Sequence, residues 1–238
     1  MGEPFKNQWA QFVFFKTRMT ISDDIFQETW IPQAKALKAR GINSIILSQK
    51  INAKNDMTDI VFMSKTWWDA LSAFQKSFPQ GCDTPPSLLN EMTCLLKFKV
   101  GCFRVRSTKT ASGEMAENRH EGLVEDEIKV LMMRKQPLPK KELLTTAENL
   151  SSLKGFQSYC IYELENGAFS EIENDFCSCI IEVFIQKYFK DVIMEDIDAG
   201  GKFTGWKLAV HEDVVKFTIL NANAVNAVYL RVDINTND

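Results

Sequence analysis

The stretch DMTDIVFMSKTWWDALSAFQKSF, residues 56–78, reads as a strand running straight into a helix, with two adjacent tryptophans, Trp67 and Trp68, at the join. TDIVFMSK is apolar and rich in strand-favouring residues. TWWDALSAFQKSF spaces Trp67 or Trp68, Leu71, Phe74 and Phe78 along one helical stripe. Neighbours on a helix diverge by about 100°. One tryptophan is therefore expected to plug the core beside Leu71 and Phe74, and the other to line a cavity rim or meet a partner.

Upstream, WAQFVFFKTRM carries the aromatic run Phe12 to Phe15 and reads as a strand. TISDDIFQETWIPQAKALKARG follows as a helix, with Ser22, Asp23 and Asp24 as N-cap candidates. Its apolar residues Phe26, Trp30, Ala34 and Leu37 recur at helical spacing, Gly41 ends it, and Pro32 predicts a kink near Trp30. INSIILSQK is the next strand, joined to TDIVFMSK through the turn-forming INAKNDM. Downstream, TPPSLLNEMTCLLK predicts a short helix and FKVGCFRVRS a fourth strand. The order β-α-β-β-α-β over residues 9–107 is that of a ferredoxin-like sandwich.

Residues 107–122 are polar and small, as expected of an exposed linker. LVEDEIKVLMM then predicts a short helix, and LLTTAENLSSL another amphipathic turn or two. GFQSYCIYELE is strand-like. AFSEIENDFCSCIIEVFIQKYFKDV predicts a long helix, with Phe169, Ile172, Phe176, Ile180, Phe184 and Tyr188 spaced by three or four. VIMEDID, GWKLAVHED, VVKFTIL and AVYLRVDI follow as four short strand-like stretches, and the glycine-rich DAGGKFTG reads as a hairpin turn. The expected fold class is α+β, with two ferredoxin-like repeats that pair as an α+β barrel. A first repeat over 1–107 and a second over 155–238 flank a linker with short helices over 108–154.

The 238 residues are 45% hydrophobic and 25% charged, which excludes a disordered or fibrous class. Net charge is −3 and the basic residues form no stripe; the densest group is FRVRSTK. No nucleic-acid partner is expected, since that binding needs concentrated Lys and Arg. No apolar run approaches the roughly 20 residues that span a bilayer, and MGEPFKNQW has no signal-peptide core. A soluble, cytoplasmic protein with no membrane partner is expected. The six cysteines form no C-x-x-C pair and are expected reduced.

His120 and His211 are the only histidines, so a multi-histidine metal site within the chain is excluded, and no metal is expected. The acidic groups VEDE and MEDID lack the EF-hand pattern. DAGGKFTG lacks a P-loop, and there is no G-x-S-x-G elbow. His211, in AVHEDVV, reads as a turn residue between strands: a solvated histidine on the plain reading, a general base on the functional one. The 17 Phe, 5 Trp and 4 Tyr fill a sandwich core on the plain reading and line a cavity for a flat, apolar molecule on the functional one.

FQETWIPQAKALKARGINSIILSQK and MTDIVFMSKTWWDALSAF resemble the first helix with its following strand, and the aromatic-ended strand with its W-x-x-x-x-A-x-x-x-F helix, of the dimeric α+β barrel superfamily. That superfamily includes antibiotic-biosynthesis monooxygenase-like, EthD-like and stress-responsive barrel proteins, and the resemblance covers residues 9–107. It implies two sheets paired into a barrel, within the chain or between chains of a homodimer, around a cavity for an apolar or aromatic small molecule. It also implies chemistry without a cofactor: oxygenation, cyclisation or lyase-type proton transfer. The chain departs from the haem-binding branch, because neither histidine stands in that branch's proximal-ligand context. On this reading Trp30, Trp67 and Trp68 line the pocket, and Arg104 or His211 polarises a carbonyl or takes a proton. The alternative is a non-catalytic interaction or oligomerisation protein that uses the same aromatic face.

Overall fold

In the computed structural model the described residues are 9–17, 42–51, 62–68, 70–77, 95–113, 126–165, 177–198, 201–219 and 228–232. Strands β1 (Trp9–Thr17), β2 (Ile42–Ile51) and β3 (Phe62–Trp68) are followed by helix α1 (Leu71–Ser77) and the long β4 (Leu95–Thr110). Then come β5 (Glu127–Arg134), α2 (Lys140–Ser151), β6 (Phe156–Leu164) and β7 (Cys179–Gln186). A single 3₁₀ turn, Lys187–Phe189, leads into α3 (Lys190–Asp198), and β8 (Lys207–Ile219) and β9 (Val228–Val232) complete the described elements. No helix among the described residues is long and apolar enough to cross a membrane.

Every pairing is antiparallel, and the strand order is β2-β3-β1-β4-β6-β7-β5-β8-β9. β2 also pairs with β8, from Ser44 opposite Thr218 to Ile51 opposite Val210, so the first eight strands close into a barrel within one chain. The order has an internal logic. β4-β1-β3-β2 and β8-β5-β7-β6 are the same arrangement written twice, each of them the sheet of a ferredoxin-like unit. The fold is thus α+β, two ferredoxin-like units whose sheets join edge to edge through β4 with β6 and β8 with β2. Closure removes the unpaired edges that an open sheet would expose.

Strands β3, β5 and β7 are buried on both faces along nearly their whole length. The outer face of the second unit packs Ile128, Val130, Ile161, Ile181 and Val183 against Leu150 of α2 and Ile193, Met194 and Ile197 of α3. The inner face gathers Ala10, Phe12, Phe14, Met63, Trp67, Phe103, Val105, Leu131, Met133, Tyr162 and Ile180 from both units.

Double burial explains where the structure departs from the patterns read along the chain. Trp67 and Trp68 are the last two residues of β3 rather than the first turn of a helix, and both are buried, because successive strand residues face opposite sides. Within LVEDEIKVLMM, expected as a helix, EIKVLMM lies in strand β5, and β5 and α2 both fall within 108–154. CIIEVFIQ is strand β7, not part of a long helix: Ile180 and Phe184 share a face at period two as they would at helical spacing. VIMEDID lies in helix α3 rather than in a strand, and KFTG joins that helix to β8 rather than turning a hairpin. KLAVHEDVVKFTI is one continuous strand, so His211 lies within β8 and not in a turn. The helix expected around Trp30 and Pro32, and His120, lie outside the described residues; of the short helix expected over TPPSLLNEMTCLLK, Leu95, Leu96 and Lys97 open strand β4 instead and the rest lies outside the described residues.

Candidate functional site

The inner face of β3 is Met63, Lys65 and Trp67, set by strand alternation and by the register that puts Lys65 opposite Phe12. On β7 the inward residues are Ile180 and Glu182, with Glu182 opposite Cys160 on one side and Leu131 on the other. Lys65 and Glu182 therefore stand at matching places, mid-way along the third strand of each unit, and they meet inside the barrel. Lys65 Nζ donates to Glu182 Oε2 at 2.5 Å, between side chains that are 2% and 0% exposed. The phenol of Tyr162 donates to the same oxygen at 2.6 Å.

A second lysine enters from β5. Lys129, 1% exposed, places Nζ 3.6 Å from Glu182 Oε1 and donates to Ser48 Oγ on β2 at 2.5 Å. Side chains of β2, β3, β5, β6 and β7 thus form one polar cluster. Its wall is aromatic: Lys65 Nζ lies 5.3 Å from the Trp67 ring centroid, and the Phe12 ring meets Phe103 and Tyr162 edge-on at 5.5 and 4.9 Å. Trp67 and Tyr162 stand 6.0 Å apart.

Burying a carboxylate in such a wall costs several kcal/mol unless counter-charges and hydrogen bonds offset it. Burial pushes the Glu182 carboxyl up, but Lys65 and Lys129, with the hydrogen bonds from Lys65 and Tyr162, outweigh it and hold the group below the ordinary carboxylate value. Glu182 is therefore an anion. Tyr162 is pushed well above the usual phenol range by burial, then by the neighbouring Cys160 and Glu182, and stays a donor. Burial likewise pushes the Cys160 thiol up to about 12, so it is neutral. Glu182 Oε1 accepts no hydrogen bond from the described residues, while Oε2 accepts two. The arrangement offers an ammonium, a phenol and a carboxylate oxygen, all desolvated, where electrostatic contacts act more strongly than in water.

Of the residues singled out in the sequence, Trp67 belongs to this wall. Trp68 faces the other side of the sheet, where its indole stacks edge-on against Phe74 at 5.8 Å and donates to Gln11 Oε1 at 3.1 Å. Arg104 is exposed and lies over the ring of Trp9 at 6.0 Å. His211 is the register partner of Lys129 on one side of β8 and of Lys50 on the other. Trp30 is outside the described residues. Lys65, Lys129, Tyr162 and Glu182 were not read from the sequence as site residues. A signal was present all the same: FMSKTWW, IKVLMM and CIIEVFI each carry one charged residue inside an otherwise apolar stretch. Such a residue is seldom fully buried unless paired.

No family model matches the chain, and no curated protein matches it by sequence. Among solved structures, an anthrone oxidase-like protein superposes with a TM-score of 0.62 at 10% identity, over 93% of this chain and 97% of that one. A candidate monooxygenase from Fusobacterium nucleatum gives 0.48 at 10% identity, over 97% and 100%. A candidate chlorite dismutase gives 0.47 at 10% identity, over 87% and 95%. The first of these likenesses is one of fold, and it bears out the resemblance to the dimeric α+β barrel proteins read from residues 9–107.

Proposed function

We propose that this chain is a small-molecule enzyme or binder that takes an apolar, aromatic ligand into the barrel interior, without a cofactor. The reaction type is oxygenation, cyclisation or lyase-type proton transfer. One observation carries the reading: a carboxylate, two ammonium groups and a phenol are gathered from five strands inside an aromatic wall. A fold held only by packing has little use for that set, since apolar residues of similar volume often stabilise as well or better. In the proposed site, Lys65 and Lys129 polarise a carbonyl or hold a developing oxyanion, and Trp67 is the wall against which the ligand lies. His211, in register with Lys129, is the proposed proton acceptor, with Trp30 a second wall candidate and Arg104 a rim cation. Trp68 supports the wall strand from behind.

The test is a fluorescence titration of the protein and its Trp67→Phe variant with planar aromatic ligands, followed by oxygen uptake and product analysis for any that bind. Binding that changes the wild-type emission, and a smaller change in the variant, supports the site. No spectral response to any ligand refutes it. The exposed Tyr188, at 90%, with Leu144 at 59% and Val192 at 43%, favours the second reading, an interaction or homodimer protein. Light scattering that finds a homodimer dispersed to monomer by Tyr188→Ser, together with a silent ligand screen, is the outcome that selects it.

A further inference from the structure

Within the buried cluster the two carboxylate oxygens of Glu182 are used unequally. Oε2 accepts from Lys65 at 2.5 Å and from Tyr162 at 2.6 Å, which saturates it and fixes the plane of the group. Oε1 is equally buried and accepts no hydrogen bond among the described residues. Lys129 Nζ stands 3.6 Å from it, beyond hydrogen-bonding range, and donates to Ser48 Oγ. A buried acceptor left in this state costs free energy that a ligand donor recovers on binding.

We infer that Glu182 Oε1 and Lys129 Nζ form the recognition pair for the polar head of the ligand, and that this head carries a neutral N–H or O–H donor beside an acceptor oxygen. The inference rests on the proposed ligand site in the barrel interior and names the class of molecule it takes. A donor on the head completes Oε1. Its neighbouring oxygen accepts from the Lys129 ammonium, and the apolar body lies against Trp67 and Phe12. An ionised carboxylate head is selected against, because it brings no donor and places a second negative charge beside Glu182. A primary amide, an enol next to a carbonyl, or an un-ionised acid meets both atoms.

The experiment is calorimetric titration of the full chain with naphthamide, acetylnaphthalene, methylnaphthalene and naphthoate, repeated with Lys129→Met. Naphthamide is expected to bind at least about tenfold more tightly than methylnaphthalene, as a charge-assisted hydrogen-bond pair implies. Acetylnaphthalene, with an acceptor alone, should fall between them, and naphthoate should bind more weakly than the amide. Lys129→Met should reduce the advantage of naphthamide over methylnaphthalene. Equal affinities across the series, or a preference for naphthoate, overturn the recognition pair while leaving the aromatic-ligand site standing. Binding by none of the four overturns both. Because the wild-type series alone decides the preference, failure of the variant to fold does not rescue the inference.

Discussion

Replacing Glu182 by Gln keeps the size of the side chain and removes the one charge on which two buried lysines converge. Lys65 and Glu182 are 2% and 0% exposed and 2.5 Å apart, so water cannot take over the role of the lost carboxylate. Breaking a buried pair from one side costs about 3–5 kcal/mol, most of it the penalty of leaving the other charge uncompensated. For a chain of this size each kcal/mol moves the melting temperature by about 2–4 °C, so Glu182→Gln should melt on the order of 10 °C below wild type. Lys65→Met in the same background removes one orphaned cation and should recover part of the loss. The cycle over Lys65 and Glu182 should give a coupling of about 2 kcal/mol. The assay is thermal and urea unfolding of wild type, both single variants and the double variant. A Glu182→Gln melt within about 2 °C of wild type, with a coupling below about 0.5 kcal/mol, would refute the view that this cluster is desolvated.

Three further outcomes follow from other contacts. Glu182 has a folded pKa below its unfolded value of about 4.3, so its stabilisation is complete above that pH and is lost as pH falls below it. Urea titrations from pH 7 to pH 3 should therefore show an acid decline that is shallower in Glu182→Gln, and equal slopes would contradict it. Cys102 and Cys179 are buried, which pushes their thiols up to about 12 and about 11, so a disulfide reagent at pH 8 should modify them only on unfolding. Rapid native-state labelling of either, read by mass spectrometry, counts against their placement. Gly155 has a positive φ of 73°, and a Cβ there would meet the Phe189 ring at 2.3 Å, so Gly155→Ala should cost about 2–4 kcal/mol by urea unfolding. A neutral result would mean that the turn after α2 is not held against Phe189.

The first half of the chain was legible because its segments announce themselves by composition. The aromatic run of β1, the β-branched run of β2 and the turn-rich stretch after it have few competing readings, and their order implied the ferredoxin-like unit. The second half was harder, for a definite reason. β5 and β7 are covered on both faces, so they lose the alternation that marks a half-exposed strand and read as apolar runs. The β-branched content of CIIEVFIQ was the clue that favoured strand over helix.

The candidate site shows the same division more sharply. The sequence by itself determined that Trp67 stands at the end of an apolar stretch, that only two histidines exist, and that a single charge interrupts each of the stretches FMSKTWW, IKVLMM and CIIEVFI. Only the tertiary structure decided that Lys65, Lys129 and Glu182 meet, because they lie on three strands and Lys65 and Glu182 are separated by 117 positions. Strand alternation chooses the face on which a side chain stands, but barrel closure chooses what it faces. That closure depends on pairings between the two units, β4 with β6 and β2 with β8, whose registers are not written in any local stretch of the chain.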